Sequence, residues 1–238
     1  MIYITFVYSY YENAGMFKLQ QEIWESYPAD VRNQIEFIIT DDCSAKNPAR
    51  DNCIATKLDM SLYEITKKVQ WNWLECRNIG AHYAKGSWIL LTDMDHVVTP
   101  EMAVRLMERW PSLSSKTVYQ FNRIRAVDMQ PYKFHNDSFF LHKKLFWRCG
   151  GYDEELAGNY GTSGVFRDRL LKTANDRRER FNDMSLLLYG REVIPDASTI
   201  DFVRKEGRDP NLVKQLVAEK RRVGRGVFLF QQPYRKVK

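Results

Sequence analysis

Residues Trp88–His96 have the sequence W-I-L-L-T-D-M-D-H. Its first five residues carry no charge, which is typical of a strand buried on both faces. Two carboxylates, Asp93 and Asp95, follow at the end of that strand. Desolvating two like charges at such spacing is costly unless a cation or strong donors neutralise them. The pair therefore indicates a site, the alternative being capping or loop aspartates before Thr99.

The nature of the two side chains suggests what the site binds. Hard oxygen ligands favour Mg²⁺ or Mn²⁺, ions that keep open positions for a substrate diphosphate. In open α/β sheets, ligands bind at the carboxyl ends of the strands. The sequence thus predicts a divalent cation at Asp93 and Asp95.

The residues before this stretch predict a strand–helix–strand unit. Ile2–Tyr8 is uncharged, β-branched and aromatic, and Met16–Tyr27 has apolar residues at roughly helical spacing. A second strand, Ile35–Thr40, ends abruptly at Asp41 and Asp42. Two strands joined through a helix form a parallel, right-handed βαβ unit. We therefore expect an α/β fold with a mostly parallel central sheet flanked by helices.

The remaining pattern extends this unit over one domain with a basic tail. Further strands are predicted at Leu62–Ile65, Val118–Phe121 and Phe228–Phe230, and helices at Trp73–Lys85, Glu101–Trp110, Val165–Lys172 and Asn211–Arg222. The alternating charges of Asp176–Arg180 are interpreted as a solvated helix face.

Composition limits the class of protein. The 238 residues are 44% hydrophobic and 28% charged, which suits a chain with a real core and excludes wholesale disorder. A net charge of +6 suits an anionic ligand but is weak support for nucleic acid. The four cysteines lack C-x-x-C spacing and are expected to be reduced. Without a signal peptide or a run of about 18 apolar residues, a cytoplasmic protein is expected.

Four segments together resemble the family-2-type glycosyltransferases of the GT-A fold. Cys76–Gly86, followed by the strand and D-M-D, is similar to that family's A-R-N-x-G helix start and A-x-G helix end before a D-x-D. Val7–Asn13 resembles the strand end and loop that cover the nucleotide base. Ile38–Ser44 resembles the V-D-D-G-S step that contacts base and ribose, and Cys149–Glu155 resembles the G-G-F-D-E turn beside the acceptor.

The resemblance implies metal-dependent transfer of a sugar from a nucleotide-diphospho-sugar, with a UDP-sugar expected, to an acceptor hydroxyl, with inversion. The acceptor would be a saccharide, glycolipid or protein. A single GT-A domain would comprise a nucleotide-sugar half at about 1–98 and an acceptor-side half at about 99–205. A basic helix and strand at about 206–238 would complete it and could touch a membrane surface peripherally.

The resemblance also assigns residues. Those expected to bind the nucleotide are Tyr8, Ser9, Tyr10, Asp41, Asp42, Arg77, Asn78, Asp93 and Met94. Either Asp41 or Asp42 would accept hydrogen bonds from the base or ribose, and Tyr8 or Tyr10 would stack on the base. Arg77 would lie near the base or phosphates. Asp95, with Asp93 directly or through water or ribose, would hold Mn²⁺ or Mg²⁺, a Lewis acid for the departing diphosphate.

The acceptor side departs from the family pattern. Residues expected there are Gly150, Gly151, Tyr160, Gly161, Thr162 and Ser163. Relatives place a W-G-G-E-D segment after the glycine turn, and its Asp deprotonates the acceptor, but in this chain the Glu-Asp pair falls on Thr162 and Ser163. Neither hydroxyl is a general base at neutral pH. Candidate bases are Asp153, Glu154 and Asp168, with Asp137 as a further option.

The sequence also does not identify a third protein ligand for the metal. Many relatives use a later His, but no His follows His142, so Asp196 or Asp201 is a candidate oxygen ligand. His96 is expected to be a loop residue near the metal, and His135 a hydrogen-bonding residue that could face the acceptor.

The departure on the acceptor side leaves two other functions open. The protein could retain the anomeric configuration and need no such base, or it could bind sugar nucleotides with weak or no transferase activity. A cytidylyl- or uridylyltransferase is disfavoured, because such an enzyme should have a Gly-rich, Arg- or Lys-bearing loop directly after the first strand. Tyr8–Gly15 lacks one.

Overall fold

The computed structural model describes residues 1–159, 161–198, 210–223 and 229–238. Within these ranges it has ten strands: β1 Ile4–Tyr10, β2 Ile35–Asp41, β3 Asp59–Ile65, β4 Trp88–Asp93, β5 His96–Val97, β6 Val118–Arg125, β7 Pro131–Tyr132, β8 Phe139–His142, β9 Arg178–Leu188 and β10 Tyr234–Lys236. The helices described are α1 Ala14–Glu25, α2 Ala29–Arg32, α3 Trp73–Tyr83, α4 Pro100–Arg109, α5 Lys143–Arg148, α6 Ser163–Thr173 and α7 Pro210–Val223.

The strands form one sheet in the order β10-β3-β2-β1-β4-β8-β6-β9-β5, with β7 paired to β6. The neighbours β3, β2, β1 and β4 are parallel, as the predicted βαβ unit requires. Ser9 near the end of β1 pairs with Asp93 at the end of β4, and Tyr10 pairs with Asp41 at the end of β2. The polar residues after these strands therefore meet at one edge of the sheet.

The core lies on both faces of the sheet. Alternate residues of β1 face opposite sides, so Phe6 and Tyr8 pack with Trp24 of α1, while Val7 packs with Ile79 of α3. A Cβ on Gly80 would lie 2.2 Å from a methyl carbon of Val7. The glycine thus lets α3 lie directly on β1, which fixes the start of that helix against the polar edge.

The mixed α/β class and the parallel half of the sheet are confirmed, but two elements differ from the prediction. The charged run at 176–180 is no helix face: Asn175 and Asp176 have left-handed φ values of 54° and 57°, and β9 begins at Arg178. Leu229 and Phe230 form no strand, while Phe228 lies outside the described residues. The C-terminal strand is instead β10, antiparallel to β3.

In the described part of the chain, no helix has both the length and the apolar character needed to cross a membrane.

Candidate active site

A cleft of about 370 Å³ opens where β1, β2 and β4 end. Ser9, Asp42, Asp93 and Asp95 line it from these strand ends, and Thr162, among others, lines it from the segment before α6. The sequence prediction of a polar site at this edge of the sheet agrees with this geometry.

The two aspartates after β2 have different roles. Both oxygens of Asp41 are occupied, because Oδ1 accepts from the Ser44 amide at 2.8 Å and Oδ2 from the Ala49 amide at 2.7 Å. Asp42 Oδ2 accepts from the Asn72 amide at 2.6 Å, whereas its buried Oδ1 has no hydrogen-bond partner within the described ranges. Burial raises the pKa of Asp42 well above its ordinary value, although the hydrogen bond from the Asn72 amide acts in the opposite direction. Asp42, which lines the cleft, is the aspartate available to a ligand.

The tyrosines of β1 do not provide the stacking surface expected of them. Tyr8 is fully buried against Trp24, with ring centroids 5.2 Å apart, and does not line the cleft. Tyr10 is among the residues that line the cleft, but its side chain is fully buried and its hydroxyl donates to the Asn47 carbonyl. Tyr11, Trp71 and Trp73 are further aromatic residues at the cleft.

Arg77 is buried behind the cleft wall and is not part of it. Its guanidinium donates to Asp93 Oδ1 at 2.6 Å, the Asp137 carbonyl at 2.7 Å and the Tyr152 hydroxyl at 3.0 Å. It also lies over the Trp73 ring at 4.7 Å. Desolvation raises the pKa of Asp93, but the charges of Arg77, His135 and His96 and the hydrogen bond from Arg77 together lower it to about 2. Arg77 therefore orients an acid of the cleft rather than meeting a ligand.

Asn78 likewise has a structural position. Its side-chain amide donates to the Tyr152 carbonyl at 2.9 Å and to Glu154 Oε1 at 2.7 Å, and its oxygen accepts from the Tyr152 amide at 2.8 Å. Gly150 and Gly151 have φ values of 89° and 70°, which favour glycine, and neither lines the cleft. The G-G-Y-D-E turn is thus clamped to α3.

Four residues surround the position predicted for a cation. Asp93, His96 and His135 each place one potential ligand atom within 4.8 Å of the others. Asp95 Oδ1 lies 2.9 Å from His96 Nδ1, yet both atoms are buried and neither has a hydrogen-bond partner among the residues described. Arg123 Nη1 lies 3.1 Å from His96 Nε2 and can only donate, so the proton of a neutral His96 ring is on Nδ1, facing Asp95. The unpaired Oδ1 of Asp95, together with the oxygen of Asp93 and the nitrogen of His135, fits a divalent cation. His96 lies on β5, not in a loop.

His135 contacts both carboxylate and ring members of this group. Its Nε2 is 3.3 Å from Asp93 Oδ2, its Nδ1 is 2.8 Å from Ser138 Oγ, and its ring stacks on His96. Burial lowers the pKa of His135 to about 3 despite the opposing charge of Asp93. The ring is therefore neutral at physiological pH.

None of the three first-named base candidates lines the cleft. Asp153 is buried in an ion pair with Arg169 at 2.5 Å. Glu154 accepts from Asn78 and from the Gln231 amide, and Asp168 pairs with Arg221 at 2.7 Å on the surface of α6. Asp137 does line the cleft. Burial raises its pKa, against the charge of Arg77.

Of the residues expected on the acceptor side, Gly161, Thr162 and Ser163 line the cleft, as does Met94 from the expected nucleotide set. Tyr160 lies outside the described residues.

Asp196 is not available to a metal. Its oxygens accept from the Gly15 amide at 2.6 Å and the Met16 amide at 2.9 Å, where they cap the first turn of α1. The second candidate ligand, Asp201, lies outside the described residues.

Trp71, Trp73 and Arg123 are among the cleft residues that the sequence analysis missed. The two tryptophans stand directly before the A-R-N-like helix start, a signal that could have placed them beside the ligand. Arg123 lies on the half of β6 beyond the predicted strand, and its Nη1 is 3.1 Å from His96 Nε2. Only the tertiary pairing of β6 brings it to the cleft.

Comparison with known proteins agrees with this geometry. A family model described as Glycosyl transferase family 2 matches residues 25–173. No curated protein sequence matches the chain. Among solved structures, S. aureus TarS 1-349 in complex with UDP aligns with a TM-score of 0.59 at 14% identity, covering 92% of this chain and 70% of that one. Its complex with UDP-GlcNAc gives 0.59 and 14%, covering 92% and 66%.

A third structure is the mannosyltransferase PcManGT from Pyrobaculum calidifontis in complex with GDP-Man and Mn²⁺. It aligns with a TM-score of 0.56 at 14% identity, covering 90% of this chain and 68% of that one. Across the TarS structures, this chain spans between 43% and 70% of their length. These likenesses establish the fold, and the predicted GT-A architecture is confirmed.

Proposed function

The chain belongs to glycosyl transferase family 2 and is a glycosyltransferase, and we propose that it transfers a sugar from a UDP-sugar to an acceptor hydroxyl in the cleft at the ends of β1, β2 and β4. The observation that carries this is the convergence there of Asp42, Asp93 and Asp95. A saccharide, glycolipid or protein as acceptor and a cytoplasmic site of action remain predictions from the sequence.

The nucleoside binds at the β2 end of the cleft. The unpaired Oδ1 of Asp42 accepts a hydrogen bond from a base N–H or a ribose hydroxyl. Trp71 and Trp73 also line the cleft and are the aromatic residues that would stack on the base. UDP and UDP-GlcNAc in two similar structures support the uridine assignment.

The diphosphate lies at the β4 end. Asp95 and Asp93, with His96 beside them, would hold a divalent cation, which as a Lewis acid would stabilise the charge of the departing diphosphate. Arg123 lines the same wall and adds positive charge toward the phosphates. The Mn²⁺ in the mannosyltransferase structure supports this choice of ion.

We further propose that the reaction inverts the anomeric centre. In a single displacement, the acceptor oxygen attacks the anomeric carbon from the face opposite the nucleotide, so one cleft must admit both substrates. Thr162 and Ser163 line the cleft from the α6 side, across from the strand ends that bind the nucleotide. This arrangement leaves the acceptor a separate wall.

A thermal-shift screen tests the donor assignment. UDP-, GDP-, dTDP- and CMP-sugars are compared with and without Mn²⁺, because a ligand that binds only the folded state stabilises it by about 2.7 kcal/mol at 100 times its Kd. We expect the largest shift for UDP-sugars with Mn²⁺, abolished in Asp95→Asn and kept in Asp183→Asn, a carboxylate remote from the cleft. Equal shifts for Asp95→Asn and wild type would contradict the metal assignment.

A second candidate function is sugar-nucleotide binding with weak or no transfer, which the hydroxyl pair Thr162-Ser163 in place of the family's Glu-Asp favours. The two functions differ in turnover. Tight UDP binding without UDP release from any donor, across a broad panel of acceptors, would favour the binding protein.

A further inference from the structure

Asp137 is held at the cleft by its backbone and leaves part of its carboxylate unused. It lies between β7 and β8, and its carbonyl accepts from buried Arg77 at 2.7 Å. Another nitrogen of the same guanidinium donates to Asp93 at 2.6 Å. Asp137 Oδ1 is shielded from solvent and has no hydrogen-bond partner in the described part of the structure. A fixed carboxylate with a spare lone pair can accept a proton from a group bound in the cleft.

The other carboxylates that line the described cleft are committed elsewhere. Asp42 lies at the β2 end and is held by the Asn72 amide. Asp93 is ion-paired with Arg77, and Asp95 lies 2.9 Å from His96 at the proposed cation position. Asp137 alone among these four lies on the acceptor-side half of the chain.

Ser163 supports this placement. It lines the cleft at the first residue of α6, and its hydroxyl is close enough to the Asp137 carboxyl to lower the pKa of that group. The position where the resemblance expects an acid therefore has a hydroxyl near an acid from a different segment. Asp137 can thus supply a carboxylate to the part of the cleft where position 163 lacks one.

We propose that Asp137 is the catalytic residue that accepts the proton of the attacking hydroxyl, an inference that rests on the proposed function. The acceptor oxygen forms a bond to the anomeric carbon while the bond from that carbon to the β-phosphate oxygen breaks. The electron pair leaves with the nucleoside diphosphate. The hydroxyl proton moves to Asp137 and is then released to solvent.

The test compares a nucleophile that must lose a proton with one that has none. UDP release from UDP-glucose and UDP-GlcNAc is measured with water alone and with sodium azide, in wild type, Asp137→Asn and the control Asp168→Asn. We expect Asp137→Asn to slow the water reaction about 100-fold or more. The azide reaction should stay near the wild-type rate, since azide needs no base. Asp168→Asn should change neither rate, because its carboxylate lies outside the cleft.

Two measurements keep the result interpretable. UDP affinity in the presence of Mn²⁺, measured by calorimetry, should be the same in wild type and Asp137→Asn, and Asp137→Glu should recover part of the water reaction. An unchanged water reaction in Asp137→Asn would overturn the proposal, as would an equal loss of the water and azide reactions. A wild-type chain that binds UDP but cleaves neither donor would instead contradict the proposed function, and this inference with it.

Discussion

Replacing Arg77 with Met tests whether one buried cation holds the cleft together. The Arg77 side chain is fully buried and donates hydrogen bonds to Asp93, the Asp137 carbonyl and Tyr152. Methionine fills a similar volume but leaves all three acceptors without their donor. We therefore expect both lower stability and a displaced Asp137 segment.

The magnitude follows from how exposed each partner is. Breaking a fully buried ion pair costs about 3–5 kcal/mol. Asp93, however, is 44% exposed, so water replaces much of its lost partner and the ionic part falls to about 1 kcal/mol. The Asp137 carbonyl, left unpaired, and the lost contact with the Trp73 ring add about 1–3 kcal/mol. The total is about 2–4 kcal/mol, or a melting temperature lower by about 5–12 °C.

Urea denaturation of wild type, Arg77→Met and Arg221→Met measures this. Arg221 is the matched control, because it also pairs with an aspartate at 2.7 Å but is 56% exposed, so its loss should cost at most about 0.5 kcal/mol. The double variant Arg77→Met/Asp93→Asn should recover part of the loss, since no unpaired charge remains. Equal free energies of unfolding for Arg77→Met and Arg221→Met would refute the reasoning.

Three further changes have defined outcomes. Gly151→Ala places a Cβ 2.8 Å from Asn78 Oδ1, whereas a Cβ at Gly161 meets nothing within 4 Å. In urea denaturation, Gly151→Ala should therefore lower the free energy of unfolding by about 1–2 kcal/mol more than Gly161→Ala does. Equal losses would show that the Asn78 side chain moves aside to accommodate the methyl group. Asp196→Ala should lower the free energy of unfolding by about 1–2 kcal/mol, because two amides of the first turn of α1 lose their acceptor; no change would mean that water caps them equally well. Burial raises the pKa of Glu75 to about 7 from an ordinary 4.5, so the folded state retains a proton that the unfolded chain has lost, and stability falls as pH rises through that window. Glu75→Gln should remove this loss, so that its free energy of unfolding exceeds that of wild type by an amount that grows to roughly 1–3 kcal/mol between about pH 5 and pH 8. If the free energies of unfolding of the two proteins changed in parallel with pH, Glu75 would be excluded as the cause.

The half of the fold that we propose to bind the nucleotide was predictable because its strands are buried on both faces. Such strands are continuous apolar runs, and the first polar residue marks the edge of the sheet. This rule located Asp42 and Asp93 without any structure. It did not separate Asp41 from Asp42, because the amides that occupy Asp41 come from a loop whose path the sequence does not specify.

The strand β9 was missed for a physical reason. Its register against β6 shifts between Phe121 and Asn122, so the buried side chains of β9 do not alternate regularly: Phe181, Met184 and Leu186 are spaced by three and then two residues. An irregular strand with charged residues on its exposed side has no period of two to detect. The same charges at 176–180 then match the pattern of a solvated helix.

The role of Arg77 could not be inferred from its own segment. An arginine before a nucleotide site suggests a phosphate contact, but Arg77 meets Asp93, Asp137 and Tyr152, which are 16, 60 and 75 residues away in the chain. Whether an arginine side chain points to a ligand or into the core depends on whether acceptors from distant parts of the chain surround it in the fold. That convergence is a property of the folded sheet.

Consecutive residues of α3 connect the parts of the cleft that have to work together. Arg77 joins the end of β4 to the segment of Asp137, and the next residue, Asn78, clamps Tyr152 and Glu154 in the glycine turn. Each connection uses directional hydrogen bonds that are buried or partly buried, and these fix relative position more narrowly than apolar contact does. The end of β4, the proposed base and the glycine turn therefore take their spacing from one helix. A change that shifts α3 along β1 should impair donor binding and proton transfer together, whereas a change at Asp137 alone should impair only the second.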